Sequence, residues 1–247
     1  MSTKRLYSVS STLFFFLIWE IIARYLGKQY ILPWPSGILK FIFEYKQVLF
    51  LVHLPYTMLI MSISLLFSFT LGFFLAVLMD RYKWFENMIY PLIITTQTIP
   101  IIAIAPIFIL WFGYSIWSKI TVAILMIIFP IIINFHEALQ NIKREYIELF
   151  KSMRASEKEI FFKLKIPTIL PNILSSLKIA IPLSLIGASI GEWLGAERGL
   201  GYFSKRMMTQ LNGFGIFAPI LILSVCAILL VNVIKIFEKE YVIWRGE

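Results

Sequence analysis

The fold class predicted by this sequence is an all-α membrane protein, and three observations lead there. Of the 247 residues, 59% are hydrophobic and only 15% are charged, against roughly 25% charged in soluble domains. The mean hydropathy is +0.82, more apolar surface than a soluble chain of this length can hide. The apolar residues also gather into runs close to the roughly 20 residues that a helix needs to cross a bilayer. These runs are 10–26, 57–79, 88–112, 120–135, 172–190 and 216–236, so about six transmembrane helices are expected. No Gly/Ser/Pro-rich linker divides them, and the whole of 1–247 reads as a single membrane domain.

The first run follows Lys4 and Arg5, as a signal peptide would, but no small-residue cleavage site comes after it. Glu20 and Arg24 interrupt it, four apart on one helical face, where each offsets the other's charge. A retained first helix is expected. Pro33 and Pro35 then impose an extended approach, and Ser36 is placed to cap an amphipathic segment over 37–50. The second run ends in the charged turn Asp80-Arg81-Tyr82-Lys83.

Pro100 and Pro106 predict that the third run is kinked or broken. The polar stretch Thr95-Thr96-Gln97-Thr98 sits just before Pro100. Kinked spans with freed backbone groups line water-filled cavities, so Gln97 and Pro100 are candidate pathway residues. Hydrogen bonding between helices is the other role open to Gln97. The fourth run ends at His136-Glu137, read as an interfacial boundary. Trp111, Tyr114 and Trp117 suit the aromatic belt of the opposite interface.

The longest polar interruption lies within 137–171. Ile142, Tyr146, Leu149, Phe150 and Met153 recur at helical spacing, so this stretch predicts an amphipathic helix. Arg154-Ala155 breaks the pattern, Ser156-x-x-Glu159 is a capping box for a second short helix, and Pro167 and Pro171 are expected to end it. Such a hairpin buries its apolar face either on its own bundle, on lipid, or on another protein.

In the fifth run Gly187, Gly191, Gly195 and Gly199 follow one another at intervals of four, after Ser176, Ala180 and Ser184. Small residues at this spacing let two membrane helices approach closely. The contact is either internal packing or a subunit interface or gate, and the glycines would also permit an unwound stretch beside an exposed Glu192. A carboxylate at membrane depth is costly unless it faces water, a partner or a pathway. Glu192 therefore lines the pathway with Gly191, or pairs with Arg198 or Lys205.

The net charge of +9 reads as membrane orientation rather than nucleic-acid binding. With six spans, fourteen Lys and Arg fall on the side of the 137–171 loop and eight on the other. The positive-inside rule then places that loop and both termini in the cytoplasm. A single cysteine, Cys226, and two histidines, His53 and His136, leave neither a disulfide nor a Cys/His metal site. The chain has no G-x-x-x-x-G-K-[ST] phosphate loop, and Gly199-Leu200-Gly201 fails as a dinucleotide motif because Ser204 stands at the third glycine position. No polar cluster suggests a membrane enzyme, so no catalytic residue is proposed. An ion-coupled secondary transporter would carry internal repeats and acidic midplane residues, which are not found.

Several stretches resemble one family. Importer permeases of binding-protein-dependent ABC transporters carry a motif E-A-A, three residues, G, nine residues, I-x-L-P. Here Glu148-Leu149-Phe150, Arg154 and Leu164-Lys165-Ile166-Pro167 occupy that register, with Leu149 and Phe150 replacing the alanines and Arg154 the glycine. Trp19-Glu20 with Leu32-Pro33-x-Pro35-Ser36, Ile99-Pro100 with Ala105-Pro106 and Trp111-Phe112-Gly113-Tyr114, and Gly191-Glu192-Trp193-Leu194-Gly195-Ala196 with Gly199-Leu200-Gly201-Tyr202 resemble the nitrate/sulfonate/taurine-type subfamily. Within it, Gln97-Thr98-Ile99-Pro100 and Gly191-Glu192-Trp193 look most like permeases for thiamine precursors of the hydroxymethylpyrimidine type. Sulfonate, taurine, nitrate and riboflavin permeases are the alternatives.

The resemblance implies a type I importer permease fold with a cytoplasmic coupling helix, in the cell membrane. It implies a homodimeric or pseudo-dimeric pore, cytoplasmic ABC ATPase subunits and an extracytoplasmic substrate-binding protein. No cofactor is expected in this chain, ATP and Mg being bound by the partner ATPase. In the coupling helix Glu148 would be the charged contact and Leu149, Phe150 and Met153 the apolar anchors, followed by the turn at Arg154, the cap at Ser156 and the motif's end at Pro167. A glycine at a turn implies a left-handed backbone, so Arg154 is expected at positive φ, at a cost of about 1–2 kcal/mol.

Overall fold

The computed structural model describes the backbone of residues 3–244 and the side chains of Tyr7 and of residues 10–240. The side chains of Lys4, Arg5 and Arg245, which enter the charge asymmetry, lie outside the described residues. All regular structure among the described residues is helical: α1 (Thr3–Leu26), α2 (Pro35–Glu44), a π-helical segment (Val48–His53) running into α3 (Leu54–Arg81), α4 (Lys83–Thr96), α5 (Ile101–Phe112), α6 (Ile116–Gln140), α7 (Arg144–Ser152), α8 (Glu157–Glu159), a second π-helical segment (Ile160–Lys165), α9 (Ile166–Gly195), α10 (Leu200–Thr209) and α11 (Gly213–Trp244).

Each of the six predicted runs falls on helix, the third with a break over 97–100. Among the described residues four continuous stretches are long and apolar enough to cross a membrane: Val48–Arg81, Ile116–Gln140, Glu157–Gly195 and Gly213–Glu240. A fifth span arises if α4 and α5 are counted together, although they are bent by 103°. The first run lies in α1, 24 residues long.

The bend follows from its sequence. Pro100 has no N–H and takes an extended ψ of 111° as the N-cap of α5. The hydroxyls of Thr95, Thr96 and Thr98 each donate to backbone carbonyls three or four residues back, supporting the helix end that the break exposes. Of the two outcomes predicted, a kink or a break, the structure has the break.

Two local expectations are corrected. Pro167 and Pro171 do not end the short helix, because α8, the second π segment and α9 form one continuous stretch of 39 residues. Pro167 falls in the first turn of α9, directly after the wide turn, where a missing N–H and a ring are accommodated. Ser36 does not cap α2 with its own side chain, whose N-cap is Trp34. Glu20 of α1 does so from outside. Its carboxylate accepts from the Ser36 N–H at 2.9 Å and the Ser36 hydroxyl at 2.6 Å, while also pairing with Arg24 at 2.6 Å. A carboxylate is well placed against the positive end of a helix dipole.

The centre of the bundle is α3, α6 and α9. Ala76, Ile127, Ile131, Phe135, Ile169 and Ala180 form its largest buried cluster. Small residues set the approach of α3 to α6: Gly72 packs against Ile131, and the Ser64 hydroxyl donates to the Ile120 carbonyl at 3.2 Å. At the far end from the α7 hairpin, a second cluster including Ile38, Leu49, Leu200, Phe203 and Ala218 joins α2, the first π segment, α10 and α11.

Candidate functional site

Within 137–171 the structure has the predicted first helix and turn, while the second helix runs on into α9 instead of ending at the prolines. Met153 ends α7, and Arg154 has φ 58°, in the left-handed region as expected. The turn is a Schellman motif: the Arg154 N–H donates to Lys151 O at 2.9 Å and the Ala155 N–H to Phe150 O at 3.0 Å. Ser156 and Glu159 complete the capping box, each side chain bonding the other's backbone N–H.

No residue of α7 is buried. Leu149 and Met153 are 55% and 71% exposed, Tyr146 is exposed as well, and Phe150 is half-buried. Ile142 and Ile147 turn inward onto the α6–α9 cluster. The apolar stripe divides, with one edge holding the hairpin to the bundle and the other uncovered by the chain. Glu148 is exposed and accepts from Arg144 at 2.9 Å, an intrahelical pair.

At the opposite end of α9 the expectation for Glu192 changes. It is neither exposed nor paired with Arg198 or Lys205, being 0% exposed with its carboxylate under the start of α10. Oε2 accepts from the Gly201 N–H at 2.7 Å. His53 Nδ1 accepts from the Gly199 N–H at 3.1 Å, and the Thr57 hydroxyl oxygen accepts from the Leu200 N–H at 2.9 Å. Three side chains from outside α10 thus satisfy three consecutive N–H groups at this helix start. Lys205 instead donates to Trp193 O at 2.6 Å.

α9 stays helical past Glu192 to Gly195, and the unwound stretch that the glycines permit is confined to 196–199. Among the four glycines only Gly199 has positive φ, 111°, as the N-cap of α10. Gly187 faces the Ala123 backbone, Gly191 the Lys119 backbone and Gly195 the Tyr114 ring. Three of the four therefore bring α9 against α6 and its approach within one chain. Gln97 is at the end of α4 and Pro100 is the N-cap of α5, so these two pathway candidates stand at the broken span, while Gly191 is packed on α6 and Glu192 is enclosed in the α9–α10 junction.

A cavity of about 540 Å³ opens between α5, α9, α10 and α11. Its walls are apolar, with Pro182 and Pro219 among them and Trp193 contributing an indole, and no charged side chain lines it. Its three serines spend their protons on backbone carbonyls: Ser189 on Leu185 O at 2.8 Å, Ser204 on Ile216 O at 3.2 Å and Ser224 on Ile220 O at 2.8 Å. Hydroxyls held this way keep acceptor lone pairs, which Ser189 and Ser224 can turn to a solute while Ser204 is buried.

Sequence reasoning missed His53, Thr57, Lys119 and these serines. Lys119 counts as external in the charge pattern and is fully buried, its Nζ donating to the carbonyls of Tyr114 at 2.8 Å and Ser115 at 2.9 Å. His136 is also buried, with Nε2 3.4 Å from Glu86 Oε1, rather than a plain boundary residue. A lone histidine or lysine at the edge of an apolar run was the available signal, and it names no partner.

Comparison with known proteins agrees with this architecture. Residues 68–242 match the family described as binding-protein-dependent transport system inner membrane component. The chain is 49% identical over 246 residues, 98% of each chain, to the formylaminopyrimidine transport permease protein ThiX of Halalkalibacterium halodurans. It is 27% identical over 237 residues, 93% of this chain and 84% of the relative, to the putative aliphatic sulfonates transport permease protein SsuC of Bacillus subtilis. A crystal structure of a bacterial ABC transporter involved in alginate import shares the fold, with TM-score 0.66 and 17% identity over 96% of both chains. The reading as an ion-coupled secondary transporter is thereby set aside. A helical bundle with a broken span, an uncovered amphipathic hairpin and this match over most of its length make the chain a member of the binding-protein-dependent transport system inner membrane components, the membrane-embedded permeases of ABC importers.

Proposed function

We propose that this permease carries a thiamine-precursor aminopyrimidine of the formylaminopyrimidine class. The observation that carries the reading is the 49% identity over 98% of both chains to a formylaminopyrimidine permease. The cavity between α9 and α11 supports it. Apolar walls, an indole and two accessible hydroxyl acceptors suit a flat neutral ring bearing N–H donors. A sulfonate or nitrate would leave its charge without a cation there.

In this reading two copies of the chain form the pore, with the hairpin and both termini in the cytoplasm. An extracytoplasmic binding protein delivers the solute to the opposite face. ABC ATPase subunits hold ATP and Mg, and each receives one hairpin, with Glu148 at the rim and Leu149, Phe150 and Met153 entering an apolar groove. Closure of the ATPases moves the hairpins, and the spans exchange inward for outward access. The two states must offer the hairpin different contacts for any coupling to exist.

Uptake of radiolabelled formylaminopyrimidine into proteoliposomes containing permease, ATPase and binding protein tests this. ATP-dependent uptake, competed by unlabelled aminopyrimidine and not by taurine, is the expected result. Competition by taurine alone would replace the substrate assignment.

A further inference from the structure

Lys165 closes the wide turn that joins the hairpin to α9, and its Nζ donates to Asp80 Oδ2 at 2.5 Å, at the hairpin-side end of α3. The two side chains are only 19% and 11% exposed. The other ion pairs of the hairpin, Arg144–Glu148 and Lys163–Glu159, are exposed and join residues four apart on one helix. Lys165–Asp80 alone among these reaches another span, across 85 residues of sequence.

The mechanics of the hairpin give that bond a purpose. A push on α7 reaches α9 directly, through the turn at Arg154 and the continuous helix from Glu157 to Gly195. α3 has no such covalent path. Apart from the Ser64–Ile120 hydrogen bond toward its opposite end, it meets α6 and α9 through apolar faces, such as Ala76 in the central cluster and Phe73 against Phe135. Contacts of that kind resist separation, yet they are non-directional and let helices slide. A short charge-assisted bond has a preferred length and direction and resists both. The π-helical turn Ile160–Lys165 contributes as well, since its extra residue rotates the helix beyond it by roughly 100° relative to an unbroken α-helix.

We infer that Lys165 and Asp80 form a strut that makes α3 move with the coupling hairpin, so that both are positioning residues for transport. The inference rests on the reading of the hairpin as the ATPase-docking element. Neither residue touches the cavity between α9 and α11, so the strut acts on helix positions and leaves solute contacts alone.

The test is a distance measured in the working complex. Spin labels at Arg81→Cys and Phe162→Cys, both exposed, in a Cys226→Ser background, report the separation of α3 from the hairpin. The full permease is reconstituted with its ATPase and measured without nucleotide and with ATP trapped. The unaltered pair should give one distance distribution common to both states. Asp80→Asn should broaden that distribution or shift it on ATP binding, and lower uptake per ATP hydrolysed by about five-fold or more, the low end of typical coupling. The reversal Asp80→Lys with Lys165→Asp should restore both readouts, which a loss of folding alone would not allow. Asp80→Asn behaving as the unaltered pair in both states overturns the strut, as does a membrane-inserted reversal variant that restores neither readout. Failure of the unaltered chain to retain the ATPase would overturn the docking reading, and the strut with it.

Discussion

Glu192 at the end of α9 accepts a hydrogen bond of 2.7 Å from the backbone N–H of Gly201, so the last turn of one helix anchors the first turn of the next. The carboxylate is fully buried within a single chain. This favours anchoring over contact with a passing solute. Glu192→Ala is expected to cost about 1–3 kcal/mol by leaving a buried N–H unsatisfied, seen as a lower unfolding temperature of the detergent-solubilised protein. Glu192→Gln keeps an acceptor at that position, and its uptake should stay near the original. Abolished uptake by a normally stable Glu192→Gln protein would return the residue to the pathway.

The glycines at the start of α10 should tolerate substitution poorly. A Cβ at Gly199 would meet the Glu192 carboxyl group, and its φ of 111° strains any L side chain. A Cβ at Gly201 would press on the Ser189 backbone. Overpacking of this kind costs about 1–3 kcal/mol, so Gly199→Ala and Gly201→Ala should each reduce membrane-inserted protein. Measured by fluorescence of a fused reporter, Gly199→Ala should be the more severe, since it adds backbone strain to the clash.

Gly187 and Gly191 give a test of where the small-residue ladder acts. Both face the α6 backbone of the same chain, at Ala123 and Lys119. Gly191→Leu should therefore destabilise the protein whether or not the pore is assembled, through a shift of α6 with its buried Lys119. Thermal unfolding of the dispersed permease should fall as far as that of the assembled transporter. Destabilisation confined to the assembled form would place the ladder at a subunit interface.

These cases show what the sequence made legible. Arg154, Ser156 and Glu159 act within a few residues of one another, where rules of turn and cap chemistry apply directly, and their geometry was predictable. The broken span was legible for the same reason, through Pro100. Glu192 was not, because its partner is set by how α10 folds back. The groups that complete the site, His53 and Thr57, act across 146 and 143 residues. Ser36 was misjudged because a carboxylate 16 residues earlier takes over its capping role. Pro167 was misjudged because a wide turn, which has no sequence signature, makes room for it. Periodicity locates helices and their buried faces, but it does not say which distant polar group will fill a given vacancy.

Arg154 offers a prediction of opposite sign to the others. Its φ of 58° is one that glycine adopts without penalty. Arg154→Gly should relieve about 1–2 kcal/mol of local strain, partly offset by the freer unfolded chain. Arg154→Val, β-branched and left-handed, should open the Schellman turn. Proteolysis within 152–158 reads this out, with cleavage slowed or unchanged for glycine and accelerated for valine. Equal cleavage of both variants would mean that the turn does not depend on the residue at this position.

The hairpin's exposed edge supplies the most direct test of docking. Leu149 and Met153 are 55% and 71% exposed, so nothing in the chain itself requires them to be apolar. Leu149→Asp and Met153→Asp should leave insertion and thermal stability within about 0.5 kcal/mol of the original, as exposed substitutions do. A carboxylate pressed into an apolar groove is costly to desolvate, so both should lose the ATPase on co-purification. Phe150→Asp should do the same with some loss of stability, since Phe150 is half-buried. Glu148→Ala should uncouple uptake while retaining protein in the membrane, the Arg144 pair being an exposed one of little weight. Undiminished uptake together with normal ATPase retention in Leu149→Asp and Met153→Asp would show that the ATPase grips some other part of the chain. The uncovered stripe of α7 would then be a lipid-facing surface.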